Sequence, residues 1–172
     1  MEFSEIKSKI DSLHNQGLTK EAANWLVDQY QMQDDFLQGF EYRDKADPSM
    51  VLFTTEGDFG KKQIIRIPEN AFQFSLPLML SLLAHEMMHV RQKTRDPFVL
   101  DKNEREWQAY YEMLFRKVFR AIPEISTFHK KAFAHKALEY YNRMGENSEL
   151  QKKYAEQKKE VEASIKELEV GS

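Results

Sequence analysis

Three observations predict an α+β, mainly helical fold for this 172-residue chain. Apolar residues recur at helical spacing near both ends. One window, residues 40–70, is rich in β-branched and aromatic residues around Gly57 and Gly60. Everything after Ser75 carries helix start and stop signals rather than strand alternation. The length suits one domain spanning 1–172. Its expected parts are N-terminal helices over 1–35, a small β-sheet over 40–70, two central helices over 75–121 and C-terminal helices over 127–169.

At the amino end, Phe3, Ile6, Ile10 and Leu13 form a helical stripe that Gly17 interrupts. Thr19 is placed to cap a second helix reaching about Gln31, with Ala22, Trp25, Leu26 and Tyr30 on one side. Two β-rich runs, Val51–Thr55 and Gln63–Ile67, flank the Gly57/Gly60 turn and read as an antiparallel hairpin. Phe40–Arg43 adds a possible third strand, and Pro68 stops the hairpin. So few strands leave an edge unpaired, and an open edge accepts an extended peptide.

Ser75 suits a helix cap and Pro77 a first turn, so a helix is expected from there to about Lys93, ended by Arg95-Asp96-Pro97. The next helix is expected over Lys102–Ala121, stopped by Pro123. Another spans Thr127–Met144, with Gly145 as its stop. The last, Glu149 to about Leu168, is mostly charged, with Tyr154, Val161 and Leu168 as a thin stripe. That helix reads as a solvated face, with a partner contact as the minority reading.

Composition excludes several classes. A formal charge of −3 does not favour nucleic-acid binding. There is no cysteine, so there are no disulfides and any metal must be held by His, Asp or Glu. No apolar run approaches the ~20 residues that span a bilayer, and "MEFSEIKSKI" lacks a signal-peptide layout. The expected location is cytoplasmic, without membrane contact.

The informative stretch is "SLLAHEMMHVRQ", Ser81–Gln92. His85 and His89 lie four apart, hence on one helix face, about 6 Å apart along the axis. Both imidazoles can meet one divalent ion. Glu86 sits about 100° round the helix, too far to be a good co-ligand but placed to take a proton from a water beside the ion. Lone histidines in apolar helices are usually satisfied core residues. Here, however, nearly every other face from Leu78 to Val90 is apolar, and burying a carboxylate with two imidazoles is costly unless something pairs with them. A metal pairs with all three, and Zn2+ is the predicted cofactor.

Tetrahedral zinc needs a third protein ligand. The next histidine is distant His129, whereas the following helix opens "DKNEREWQAYYEML" with Glu104, Glu106 and Glu112. Glu112 lies two turns in and is the weakest. Asp101-x-x-Glu104 and Asn103-x-x-Glu106 both fit capping boxes. The stripe Trp107, Tyr111, Leu114, Val118 and Ile122 lies on Glu104's side, so periodicity leans towards Glu104 if that face meets the zinc helix.

"HEMMHVRQ" followed by "EWQAY" resembles the gluzincin metallopeptidases, particularly their minimal single-domain members. The resemblance covers roughly residues 50–120. It implies a zincin-like fold in which a helix backs a small sheet whose edge strand aligns peptide substrate; here Lys62–Ile67 would be that strand. It also implies a third ligand opening the next helix as Glu-x-x-Ala, which Glu106-Trp107-Gln108-Ala109 matches, seventeen residues after His89. On that basis the predicted metal ligands are His85, His89 and Glu106, with Glu104 as runner-up and Glu86 as general base of a zinc metallopeptidase. Tyr110 departs from the pattern, standing where many members have an Asp that orients a zinc histidine.

Other candidates have duller readings. Tyr110, Tyr111, His129, His135, Tyr140 and Tyr141 can donate to an oxyanion, but spacing places none of them near the metal. Arg91 and Arg95 suit a substrate carboxylate, although solvated helix arginines are commoner. Two rival functions remain: a zincin-like peptide-binding or regulatory module without turnover, and a metal-free helical interaction protein.

Overall fold

A computed structural model describes residues 1–171. Helices α1 (Phe3–Asn15) and α2 (Thr19–Gln29) form an antiparallel pair around the Gly17 turn, where φ is +75°. Ile6 and Ile10 of α1 are buried against Ala22, Ala23 and Leu26 of α2. Thr19 is not the cap, because Leu18 holds that position and Thr19 begins the helix. Its hydroxyl instead contacts His14 Nδ1 at 2.8 Å and the Glu69 carbonyl at 3.4 Å, tying the helix pair to the far end of the sheet.

The sheet has three strands, β1 (Leu37–Arg43), β2 (Thr54–Glu56) and β3 (Gln63–Pro68), in the order β1-β3-β2. The expected hairpin forms, with Thr55 opposite Ile65, but its first strand occupies only 54–56. Phe40–Arg43 does belong to a strand, and it pairs with β3 in parallel, Phe40 opposite Ile65 and Tyr42 opposite Ile67. The sheet is therefore mixed rather than antiparallel. This corrects the expectation that Lys62–Ile67 is the edge: β3 is paired on both sides, and the free edges belong to β1 and β2. Ile65 and Ile67 are fully buried on one face, as a central strand over a core requires.

Beneath the sheet runs α3 (Leu76–Thr94), preceded by a 3-10 turn at Ala71–Gln73. Leu76, Leu78–Ser81, Leu83–Met87, His89, Val90, Gln92 and Thr94 are all buried, so α3 is enclosed on most of its circumference. That explains its weak amphipathic pattern. Ser75 occupies the cap position, but its hydroxyl makes no capping bond; Pro77 is accommodated in the first turn.

Helix α4 (Lys102–Phe115) is capped by Asp101, whose Oδ1 accepts from the Glu104 N–H at 2.9 Å. It stops six residues before the expected Ala121. Arg116 turns into the left-handed region at φ +48°. The buried Glu112 carboxylate then accepts from the backbone N–H groups of Lys117, Val118 and Phe119 at 2.7–3.1 Å. A side-chain acceptor thus replaces the helical carbonyls, and the chain folds back. Phe119 and Ile122 drop into the first core rather than extending the Trp107 stripe.

Helix α5 (Thr127–Arg143) is capped by Ser126 and ends before Gly145, at φ +102°. The last expected helix is divided at Tyr154 into α6 (Glu149–Lys153) and α7 (Ala155–Val170). Tyr154, Val161 and Ile165 are buried with Trp107, Ala134, Ala137 and Tyr141 in a second core, while Leu168 is only half-buried. The thin stripe thus packs within its own chain. The first core joins α1, α2, the sheet and α3; the second joins α4, α5 and α7. Among the described residues no helix is long and apolar enough to cross a membrane.

Replacing Glu112 by Ala removes the acceptor for three backbone donors at a buried position. Urea unfolding should show a loss of about 3 kcal/mol with an unchanged m-value, a loss comparable to one or two charge-assisted hydrogen bonds.

Candidate metal centre

The seam between α3 and α4 holds the polar groups that the first core would otherwise have to bury alone. His85, Glu86 and His89 are 5%, 6% and 8% exposed, and one ligand atom from each lies within 4.8 Å of the others. The imidazole planes stand nearly perpendicular, at 83°, with centroids 4.8 Å apart. From α4, Glu106 meets both rings: its Oε2 lies 3.2 Å from His85 Nε2, and its Oε1 lies 3.3 Å from His89 Nε2.

The tautomer of His89 follows from its neighbours. Gln92, one turn on, has its amide nitrogen 3.0 Å from the Arg105 carbonyl and 2.9 Å from Gln108 Oε1. A backbone carbonyl only accepts, so the Gln92 nitrogen must face it, and the Gln92 oxygen is left facing His89 Nδ1 at 2.8 Å. Nδ1 therefore carries the proton and donates it. In the neutral ring, Nε2 then presents a lone pair to the Glu106 carboxylate. Two acceptors at that distance repel unless positive charge lies between them, supplied by a proton or by a cation. Gln108 Nε2 donates onward to the Tyr154 hydroxyl at 2.7 Å, and that hydroxyl donates to Glu104 Oε1 at 2.6 Å.

His85 is held differently. Its Nδ1 lies 3.2 Å from the Met113 sulfur, and the ring of Tyr110 packs edge-on against it at 4.5 Å. Tyr110, where the sequence departs from the expected Asp, thus positions the imidazole by ring contact rather than by a carboxylate. Tyr110 is stacked in turn on Tyr140 and tilted against Phe133.

The two carboxylates are poised oppositely. Burial pushes the Glu86 pKa up, against the opposing charges of His85 and His89 and the Thr55 hydroxyl, which donates to Oε2 at 2.6 Å. Burial also acts to raise Glu106, but its hydrogen bonds to His85 and His89 prevail and hold it well below the usual carboxylate range. For His89, burial favours the neutral ring, yet the Glu106 hydrogen bond and the nearby carboxylate charges raise its pKa. A carboxylate that draws a proton onto the His89 imidazole attracts other cations on the same grounds. The His85/Glu86/His89 group can hold a metal ion.

Of the sequence candidates, His85, Glu86, His89 and Glu106 come together. Glu104 does not: it accepts from the Tyr154 hydroxyl and from Lys153 Nζ at 2.9 Å, on the side of α4 that faces the second core. Trp107, Tyr111 and Leu114 of the apolar stripe pack in the second core with α5 and α7 rather than on α3, so the condition on which periodicity leaned towards Glu104 is not met. Tyr110 and Tyr140 line the cleft. Tyr111 is engaged with Glu160, Tyr141 with the Gln151 carbonyl and His129 with Ser126, while His135 is exposed. Arg91 lies over Phe119, and Arg95 pairs with Asp34.

Sequence reading missed Thr55, which fixes Glu86, and Gln92, which fixes His89. The only sequence signal for Gln92 was its position three residues after a histidine on one helix. The cleft over the centre has a volume of about 460 Å³ and is bordered by Val51–Thr55 on one side and α4 on the other. In comparisons with known proteins, the chain matches no protein-family model, no curated protein and no solved structure.

A divalent cation that the centre binds, supplied free at a hundredfold excess over its Kd, should add about 2.7 kcal/mol of stability. For this length that is a rise in Tm of about 5–10 °C, reversed by chelator and absent in His89→Ala. Gln92→Ala should keep the response but weaken metal affinity roughly 10–100-fold, as measured by competition with a chromophoric chelator.

Proposed function

We propose that the chain is a zinc-dependent metallopeptidase with a zincin-like architecture, resembling the gluzincins. The observation that carries this reading is the convergence of His85 Nε2 and His89 Nε2 on the Glu106 carboxylate, with Glu86 beside them. His85, His89 and Glu106 would hold the ion. A two-imidazole, one-carboxylate set without sulfur suits zinc in a site that keeps a position open. When bound, the ion supplies Lewis acidity, making a water acidic enough to ionise near pH 7 and polarising a peptide carbonyl.

The chain's own groups supply the remainder. Glu86 accepts the proton of the attacking water and later passes it to the leaving amine. Its buried setting raises its affinity for that proton, and the Thr55 hydroxyl fixes the carboxylate without neutralising it. Thr55 belongs to β2, whose outer edge is unpaired. An extended peptide laid along Thr54–Glu56 would pass over the imidazoles, so β2 takes the aligning role once expected of Lys62–Ile67. The walls of the cleft are side chains from β2, α3, α4 and α5, so substrate is gripped on both sides of the scissile bond.

Zinc-loaded Glu86→Gln should retain its metal while hydrolysis of a mixed peptide library, followed by mass spectrometry, falls by about 10²–10⁴-fold. Undiminished cleavage would remove Glu86 from the role of base. Stoichiometric zinc without cleavage by the unaltered chain would favour a peptide-binding module.

A further inference from the structure

The cleft is chemically polarised along α3. Leu82, His85, Glu86, His89 and Lys93 form one stripe of that helix and all border the cleft. Towards Leu82 the lining is apolar and aromatic, with Val51, Leu52, Tyr110 and Phe133. Towards Lys93 it is cationic. Because α4 runs back along α3, Lys102 and Arg105 lie on the Lys93 side of Glu106, whereas Tyr110 lies on the His85 side. Three positive side chains thus gather at one end of the cleft, in a chain whose formal charge is −3.

The cluster is held in place and is not neutralised. Lys93 and Arg105 both lie over the Phe59 ring, at 5.5 and 5.3 Å from its centroid. Lys93 donates to the Gly57 carbonyl, and Arg105 Nη1 donates to the carbonyls of Val99 and Leu100. The nearby acids are engaged elsewhere: Glu106 with the imidazoles, Glu86 with Thr55, Glu56 with Arg66 and Asp101 with the α4 cap. Asp58 acts on Lys93 only at longer range. Among the described residues no carboxylate lies within ion-pair distance of Lys93, Lys102 or Arg105. Partial burial first, and then the neighbouring Arg105 charge, lower the Lys93 pKa against the opposing pull of Asp58.

We propose that the cationic end, formed by Lys93, Lys102 and Arg105, is a specificity pocket for a substrate carboxylate. The cleft would accordingly select peptides with a carboxylate within about two residues of the bond presented to the imidazoles. This rests on the peptidase reading of the cleft. Lys93 is one helical turn, about 6 Å, beyond His89, and extended peptide advances about 3.3 Å per residue. The carboxylate comes from an acidic side chain or from a free C-terminus; both present the same anion.

The test uses binding, so that it stands apart from turnover. Zinc-loaded Glu86→Gln protein is titrated with a fluorescent, otherwise neutral decapeptide, blocked at both ends. One glutamate is scanned through successive positions, and a parallel peptide carries glutamine and a free C-terminus. One or two glutamate positions, or the free C-terminus, should bind about tenfold tighter than the blocked glutamine peptide. That ratio should fall to about twofold or less in Lys93→Met/Lys102→Met and should shrink with salt. Lys102→Glu, an exposed position, should lower the ratio without a change in Tm. Equal Kd values across the peptides, no measurable binding, or a ratio that survives in the double variant would overturn the pocket. Failure of the peptidase reading shows separately, as intact peptides after incubation with the zinc-loaded unaltered chain while the binding ratio persists.

Discussion

Everything at the centre of this molecule depends on two imidazole nitrogens facing one carboxylate across the α3–α4 seam. Neither helix can satisfy its polar groups alone. Helix α3 is enclosed by apolar neighbours, and a buried carboxylate and two imidazoles there carry a desolvation cost of several kcal/mol unless they are partnered. Glu106 arrives from α4 to meet His85 and His89, and Thr55 arrives from β2 to meet Glu86. Two residues of the same type are biased in opposite directions. Glu106 sits between nitrogens that favour its charge; Glu86 sits in a drier place that disfavours it.

The two cores have separate tasks in holding that seam. The first locks α3 under the sheet through Ile65, Ile67, Leu80, Leu83 and Met87. The second grips α4 from behind through Trp107, which is fully buried among Tyr141, Tyr154 and Val161. Packing at Trp107 therefore decides which face of α4 turns towards the histidines. Glu106 and Met113 face α3; Glu104 is drawn the other way by Tyr154 and Lys153. The divided C-terminal helix, with its break at Tyr154, is the means by which that residue reaches both Trp107 and Glu104.

Much of this was legible in the chain before its coordinates. Helix positions followed from apolar spacing and from Gly17, Pro97, Pro123 and Gly145, since those signals are local. The hairpin was legible for the same reason. The parallel pairing of β1 was not, because nothing in Leu37–Arg43 encodes which neighbour it will meet. The early end of α4 was hidden because Trp107, Tyr111, Leu114, Val118 and Ile122 keep helical spacing past a turn that a single carboxylate creates. His85, Glu86 and His89 announce themselves by spacing within one helix. The relation of Glu106 to them depends on how two helices rotate against each other, and periodicity leaned to Glu104 only if the Trp107 face met α3. Thr55 and Gln92 carried almost no signal, as each acts through contacts made only in the folded chain.

The hydrogen-bonded row from His89 through Gln92, Gln108 and Tyr154 to Glu104 has a polarity. Every proton in it points away from the seam and towards the Glu104 carboxylate, which can only receive. Reversing any member would set donor against donor or acceptor against acceptor, and the Arg105 carbonyl forbids the reversal at Gln92 independently. The row therefore behaves like a ratchet with a single resting position. It holds the Nδ1 proton of His89 on the side away from the seam, so the nitrogen facing Glu106 gives up a single proton to a visiting ion, with no tautomer exchange to wait for.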